Sequence, residues 1–154
     1  MDIAAVRQYR SRLGVSLSLE QQLVKDLGFF ARFGRAAGNV EAYEFTDIDR
    51  SVEMGFSLKG TPWHREHDNV GLAAINNGIS AARERFLSAG GLGILVGDGQ
   101  LAHSGPEKII ETYYDASVFP HAQLTFDYQW IENPAYNRER GPASVFALRF
   151  HAQF

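Results

Sequence analysis

The feature that most constrains this chain is a two-residue alternation of apolar and polar side chains, which recurs along it and runs into the closing SVFALRFHAQF. There Phe146, Leu148, Phe150, Ala152 and Phe154 share one side of a strand, and Ala147, Arg149, His151 and Gln153 the other. The reason is that successive strand side chains point to opposite faces. Uncovered termini fray, so three phenylalanines on one face of a terminal strand require either a protein core or a bilayer against them.

The same alternation appears upstream. Leu13, Val15, Leu17 and Leu19 oppose Gly14, Ser16, Ser18 and Glu20, and a VKDLG turn leads to Phe29, Ala31 and Phe33. In TDIDRSVEMGFSLKG, Ile48, Val52, Met54, Phe56 and Leu58 oppose Asp47, Asp49, Ser51, Glu53, Ser57 and Lys59. NVGLAAINNG, GGLGILVGDG, KIIETYYDASV and QLTFDYQWI complete a set of about eight segments, joined by alternately tight and longer polar connections. That is the pattern of an antiparallel meander. ISAARERFLSAG reads as a loop feeding a strand, and PEKIIETYYDA as a strand because its β-branched and aromatic residues alternate. The chain reads as a single region, 1–154, with an irregular lead-in over 1–8 and strands and loops over 9–154.

Composition narrows the function classes. A net charge of −3 offers no basic field for nucleic acid, and the absence of cysteine excludes disulfides and thiolate metal sites. The longest apolar run, GLGILVG, is too short and too glycine-broken for a spanning helix. MDIAAVRQYRSR has neither the apolar core nor the cleavage pattern of a secretory signal, so an exported protein of this sequence is expected to be a fragment.

Alternation alone suits two architectures. In a soluble two-layer sandwich the apolar faces form a core, whereas in a membrane barrel they meet lipid and the polar faces line a wet lumen. Three features favour the barrel. Tyr128 and Trp130 end one apolar face and Phe154 ends another, where interfacial aromatic girdles belong. The alternating stretches approach the roughly 9–11 residues a tilted strand needs to cross a bilayer. Finally, the alternation continues to the last residue, as in a strand that closes a barrel.

The stretches LGFFARFGRAAGNVEAYEFTDIDRSVEMGFSLKGTPWHREHDNVGLAAINNGIS, FLSAGGLGILVGDGQL, PEKIIETYYDA and, most specifically, DYQWIENPAYNRERGP resemble carbohydrate-selective porins of the OprB type, in the same order from Tyr9 to Phe154. The resemblance implies an all-β fold, an antiparallel transmembrane β-barrel of sixteen strands, of which this chain supplies the carboxyl-terminal half. It implies a bacterial outer-membrane porin that lets sugars such as glucose diffuse passively, with no cofactor and no reaction. Its partners would be outer-membrane lipid, barrel-assembly machinery that reads the terminal strand, and further copies of itself. The two histidines of TPWHREHDN depart from the arginine and other polar residues common in relatives.

A sugar channel needs carboxylates, guanidinium groups and amides that exchange hydrogen bonds with hydroxyls, and opposed charges that trim ion flow. The polar faces hold Arg32, Asp47, Asp49, Glu53, Lys59, Glu111, Asp115, Asp127, Arg149 and His151 as candidate pore-lining residues. Taken singly, each is more simply a solvated wall residue. Two alternatives remain: a small filled eight-stranded barrel with a binding or structural role, and an outer-membrane lipid hydrolase. The latter would use Ser104 with His103 or His121 and Asp115, although no nucleophile elbow surrounds Ser104. His64, His67 and Asp68 read as an exposed loop rather than a metal site. GGLGILVGDG lacks the lysine and hydroxyl residue of a phosphate loop.

Overall fold

A computed structural model describes residues 10–40, 47–93 and 100–153. Within them lies one antiparallel sheet of seven strands in sequence order. The strands are β1 (Gly14–Val24), β2 (Leu27–Ala36), β3 (Arg50–Gly60), β4 (Arg65–Gly78), β5 (Glu107–Phe119), β6 (Ala122–Glu132) and β7 (Ala143–Ala152). Each strand pairs with its neighbours in sequence, so the sheet is an up-and-down meander. β1 and β7 do not pair with each other, and the sheet is open.

The connections differ sharply between the two ends. At one rim β1 and β2 are joined through Lys25 and Asp26, β5 and β6 through Pro120 and His121, and β3 and β4 through a single 3-10 turn, Thr61–Trp63. At the other rim the connections run over 37–49, 79–106 and 133–142. Short turns at one end and long loops at the other are the asymmetry of outer-membrane barrels, whose turns face the periplasm.

Register shows that the alternation is coherent across strands. Leu17 pairs with Phe33, Phe33 with Val52, Phe56 with Leu72, Tyr114 with Phe126 and Phe126 with Leu148, so one face is apolar from β1 to β7. A one-residue slip anywhere would turn a whole strand inside out. This face is bare: Leu72 and Phe126 are each 53% exposed and Phe146 is 77% exposed. A water-soluble sandwich would cover it with a second layer. Charged pairs bound it at the long-loop rim, where Arg35 lies opposite Arg50 and Lys108 opposite Glu132. The strands, 10 to 14 residues long, are sufficient to cross a bilayer at a tilt.

Three details differ from the sequence reading. Ala81–Ser88 is an α-helix, α1, and not a loop feeding a strand. Ser80 caps it by accepting the backbone N–H of Arg83, and Glu84 sits in its first turn. The glycine-rich segment adds no eighth strand within the described residues: Gly91–Gly93 are irregular, and Ile94–Gly99 lie outside them. Strand β3 begins at Arg50, so Asp47 and Asp49 precede it. The lead-in over 1–8 and Phe154 also lie outside the described residues.

The buried apolar cluster is small and belongs to the long loops. Ile79, Leu87, Leu101 and Tyr136 pack together there. The sheet therefore owes its order to the hydrogen-bond ladder and to what covers its apolar face, not to an internal core. Arginine near the bilayer midplane costs about 2–4 kcal/mol on a lipid-facing strand position. Leu72→Arg is therefore expected to lose that much folding free energy in lipid vesicles, measured by denaturant titration. Ala73→Arg, one residue on and facing the other way, is expected to lose less than half of it.

Candidate functional site

The face opposite the apolar one collects the charges. Arg32 pairs with Glu53 across β2 and β3, and Lys59, Asn69, Asp115, Thr125 and Arg149 form one continuous row from β3 to β7. Glu111 and Asp127 have the same facing, as does His151, which lies opposite Gln123. Eight of the ten candidate pore-lining residues thus share one surface: Arg32, Glu53, Lys59, Glu111, Asp115, Asp127, Arg149 and His151. The strand register brings them together although they span 120 positions of sequence from Arg32 to His151.

Their charges are not evenly mixed. Glu53, Glu111 and Asp127 form an acidic centre, close enough for the charges of Asp127 and Glu53 to act on Glu111. Arg32 flanks this centre on β2, reaching Glu53 at 3.3 Å and Glu20 at 3.5 Å, and Arg149 lies on the far side on β7. Such an arrangement sets a field across the wall instead of along it.

Neutral polar groups link the charged ones. Ser57 Oγ donates to Asn69 Oδ1 at 3.0 Å, and Asn69 Nδ2 donates to the Tyr113 hydroxyl at 3.0 Å. Thr125 Oγ1 donates to Asp115 Oδ1 at 2.8 Å. A groove of about 730 Å³ runs along this face near the short-turn rim, lined in part by Phe30, Arg32, Ser57, Asn69, Tyr113 and Asp115.

Asp47 and Asp49 do a different job from the one expected of them. They lie at the long-loop rim, where Arg83 of α1 donates from Nη1 to Asp47 at 2.8 Å and from Nε to Asp49 at 3.0 Å. Asp49 also accepts Arg12 Nη2 at 2.8 Å and the backbone N–H of Ser80 at 2.8 Å. Asp49 is 4% and Arg83 8% exposed, so this is a buried ion network and not a wetted wall. Burial alone pushes the Asp49 carboxyl up, but the hydrogen bonds from Arg83 and Ser80, with the Arg83 charge, hold it below the usual carboxylate range. The network fastens α1 to the start of β3. Glu107, on the polar face of β5, accepts the backbone N–H of Ala135 at 2.9 Å, so the 133–142 loop is tied to the same rim. Burial, followed by the charges of Glu107, Asp47 and Asp49, pushes the nearby Tyr136 hydroxyl well above its ordinary range.

A sheet apolar on one face and charged on the other, with short turns at one rim and long connections at the other, is what the wall of a porin requires. A family model for carbohydrate-selective porins of the OprB family matches residues 1–154, the whole chain. The chain belongs to the OprB family. That membership carries a sugar-porin role and an outer-membrane setting. No curated protein and no solved structure matches the chain.

In this OprB-family chain aromatic residues occupy both ends of the apolar face. Tyr128 and Trp130 lie toward the long-loop rim, with Tyr128 stacked on Phe146 at 4.8 Å between ring centroids. At the short-turn rim, Trp63 donates its indole N–H to the Tyr114 hydroxyl at 3.1 Å, and Tyr114 donates to Asp68 at 2.5 Å. Sequence reasoning did not single out Trp63 and Tyr114 together; their signal was aromatic content beside a tight polar turn. It left Phe30, Ser57, Asn69 and Tyr113 out of the pore-lining candidates, because uncharged residues do not stand out on a polar face.

The hydrolase constellation is not assembled. His121 sits in the short turn after β5 and Ser104 before it, with the full strand between them. Asp115 is bonded to Thr125, and His103 Nδ1 meets Glu139 at 2.8 Å. His64 caps the Thr61–Trp63 turn.

Asp49→Asn should free Arg83 Nε while Asp47 still holds Nη1, so the rim is expected to weaken by about 2 kcal/mol, the scale of a charge-assisted hydrogen bond. Loss of hydrogen-exchange protection over residues 81–88 measures it. The pH dependence has a definite sign. A carboxyl titrating lower when folded than when free stabilises fully above the ordinary range, about pH 4, and loses that contribution as pH falls through its depressed value. Protection of α1, corrected for intrinsic exchange, is therefore expected to hold from neutrality to about pH 4 and to fall below it.

Proposed function

We propose that the polar face is the wetted wall of a channel through which sugars such as glucose diffuse passively. The observation that most supports this reading is the shared facing of eight ionisable side chains from five strands, set against a bare hydrocarbon face on the other side. Sugar hydroxyls lose water hydrogen bonds on entering a narrow passage, and carboxylates, guanidinium groups and amides replace them. The flux follows the concentration gradient, with no cofactor and no bond made or broken.

The open edges of β1 and β7 belong to the same reading. In lipid an unpaired strand edge leaves backbone donors and acceptors with nothing to bond. The wall is completed by further strands, either from a longer barrel of which this is the carboxyl-terminal half or from a second copy. The terminal strand β7, with Phe146, Leu148 and Phe150 on its lipid side, is the segment offered to the barrel-assembly machinery.

Planar-bilayer conductance of the refolded chain, titrated with glucose, tests the reading. Stable channels whose ion current falls as glucose is added are expected. Channels indifferent to glucose would overturn sugar passage, and silent bilayers beside a folded, heat-modifiable band would move the chain to the small filled barrel. The acidic centre makes a second expectation: Glu111→Gln with Asp127→Asn lowers cation preference, seen as a shift of reversal potential in a salt gradient toward zero.

A further inference from the structure

Two aromatic rings on the polar wall are held flat by glycines on the next strand. A Cβ placed on Gly55 of β3 would collide with the Leu72 carbonyl oxygen and with Cε1 and Cζ of Phe30 from β2, and one placed on Gly71 of β4 would collide with the same ring atoms of Tyr113 from β5. Gly55 and Gly71 thus leave room for rings to lie across the sheet where a side chain would lift them away. The rings reach inward from opposite sides: Phe30 from β2 over β3, Tyr113 from β5 over β4. Both line the wall groove near the short-turn rim.

Each ring has its own polar flank. The Arg32 guanidinium carbon lies 5.1 Å from the Phe30 centroid, with Arg32 itself held by Glu53. The Tyr113 hydroxyl is fixed by Asn69 at 3.0 Å. Flat apolar surface bordered by fixed donors and acceptors matches a molecule with an apolar C–H face and an equatorial rim of hydroxyls. A pyranose ring has that shape, and an acyclic polyol with as many hydroxyls does not. An ion needs no flat ring, and a passage serving only ions would gain nothing from glycines that keep two rings against the wall.

We infer that Phe30 and Tyr113, laid over Gly55 and Gly71, form a pyranose-binding platform on the channel wall, with Arg32 and Asn69 engaging hydroxyls at its edges. The inference rests on the sugar-channel reading and adds a site of affinity to it. Transit then saturates with sugar concentration, and selection favours cyclic sugars over open-chain polyols of the same size.

Saturation-transfer NMR on the folded chain in detergent micelles, with D-glucose and sorbitol as probes, tests this without needing an open channel. Saturation of the glucose ring protons and little of sorbitol is expected. Phe30→Leu and Tyr113→Leu, which keep apolar bulk but lose the flat face, are each expected to weaken glucose binding roughly fivefold, the scale of one aromatic stacking contact. Tyr113→Phe is expected to retain most of the binding. Gly71→Ala, which pushes the ring off the wall without removing it, supplies a second route to the same loss if a leucine variant does not fold. Equal saturation of glucose and sorbitol, or glucose binding untouched by both leucine substitutions, overturns the platform. The sugar-channel reading fails separately: glucose block of current that persists in both leucine variants removes the platform alone, whereas a native channel indifferent to glucose removes the sugar-channel reading itself.

Discussion

The interaction on which the rest depends is the antiparallel ladder of backbone hydrogen bonds. Hydrocarbon offers no partner for an N–H or C=O, so a strand that enters a membrane has to find both in its neighbours. Here each strand from β2 to β6 is paired on both sides, in a register that keeps Leu72 beside Phe56 and Thr112 without a slip. Because side chains alternate, that one register decides at once which residues meet lipid and which meet water. The polar face is in this sense a by-product of how the backbone is satisfied.

The two ends of the sheet solve a different problem. Inside the strands, charges stay hydrated on the polar face, and exposed pairs such as Arg32 with Glu53 contribute modestly to stability. At the long-loop rim Arg83, Asp47 and Asp49 are buried, and Arg83 and Asp49 are each matched by several partners. Arg83, Asp47 and Asp49 together tie α1 to the start of β3, beside the small buried cluster of Ile79, Leu87, Leu101 and Tyr136. Removing one partner there leaves the remaining buried charges away from water and less than fully balanced, which is why the same residue types count for more at the rim than on the wall.

Much of the sheet was legible in the chain. The period-two pattern in KIIETYYDASV, QLTFDYQWI and SVFALRFHAQF corresponds to β5, β6 and β7, since β-branched and aromatic residues suit a pleated surface with one face covered. The helix was not legible. Ser80 is a good N-cap, but the third residue after it is Arg83, not the glutamate of a capping box, and eight residues with a mixed face leave little periodicity to read. Asp47 and Asp49 were placed on the wall because their parity continues that of Ser51 and Glu53. Nothing local announces that the strand starts only at Arg50.

By itself the sequence determined that the chain forms strands with one apolar and one polar face, since both follow from a local repeat that each residue carries in its own position. Tertiary structure alone decided which residues stand side by side. Arg32 with Glu53, Lys59 with Asp115 in one row, Phe30 over Gly55 and Tyr113 over Gly71 are contacts between strands, set by register and turn length. So is the withdrawal of Asp49 into a buried network with Arg12 and Arg83, partners 37 and 34 residues away. Alternation says which way a side chain points, and only pairing across strands says what it meets.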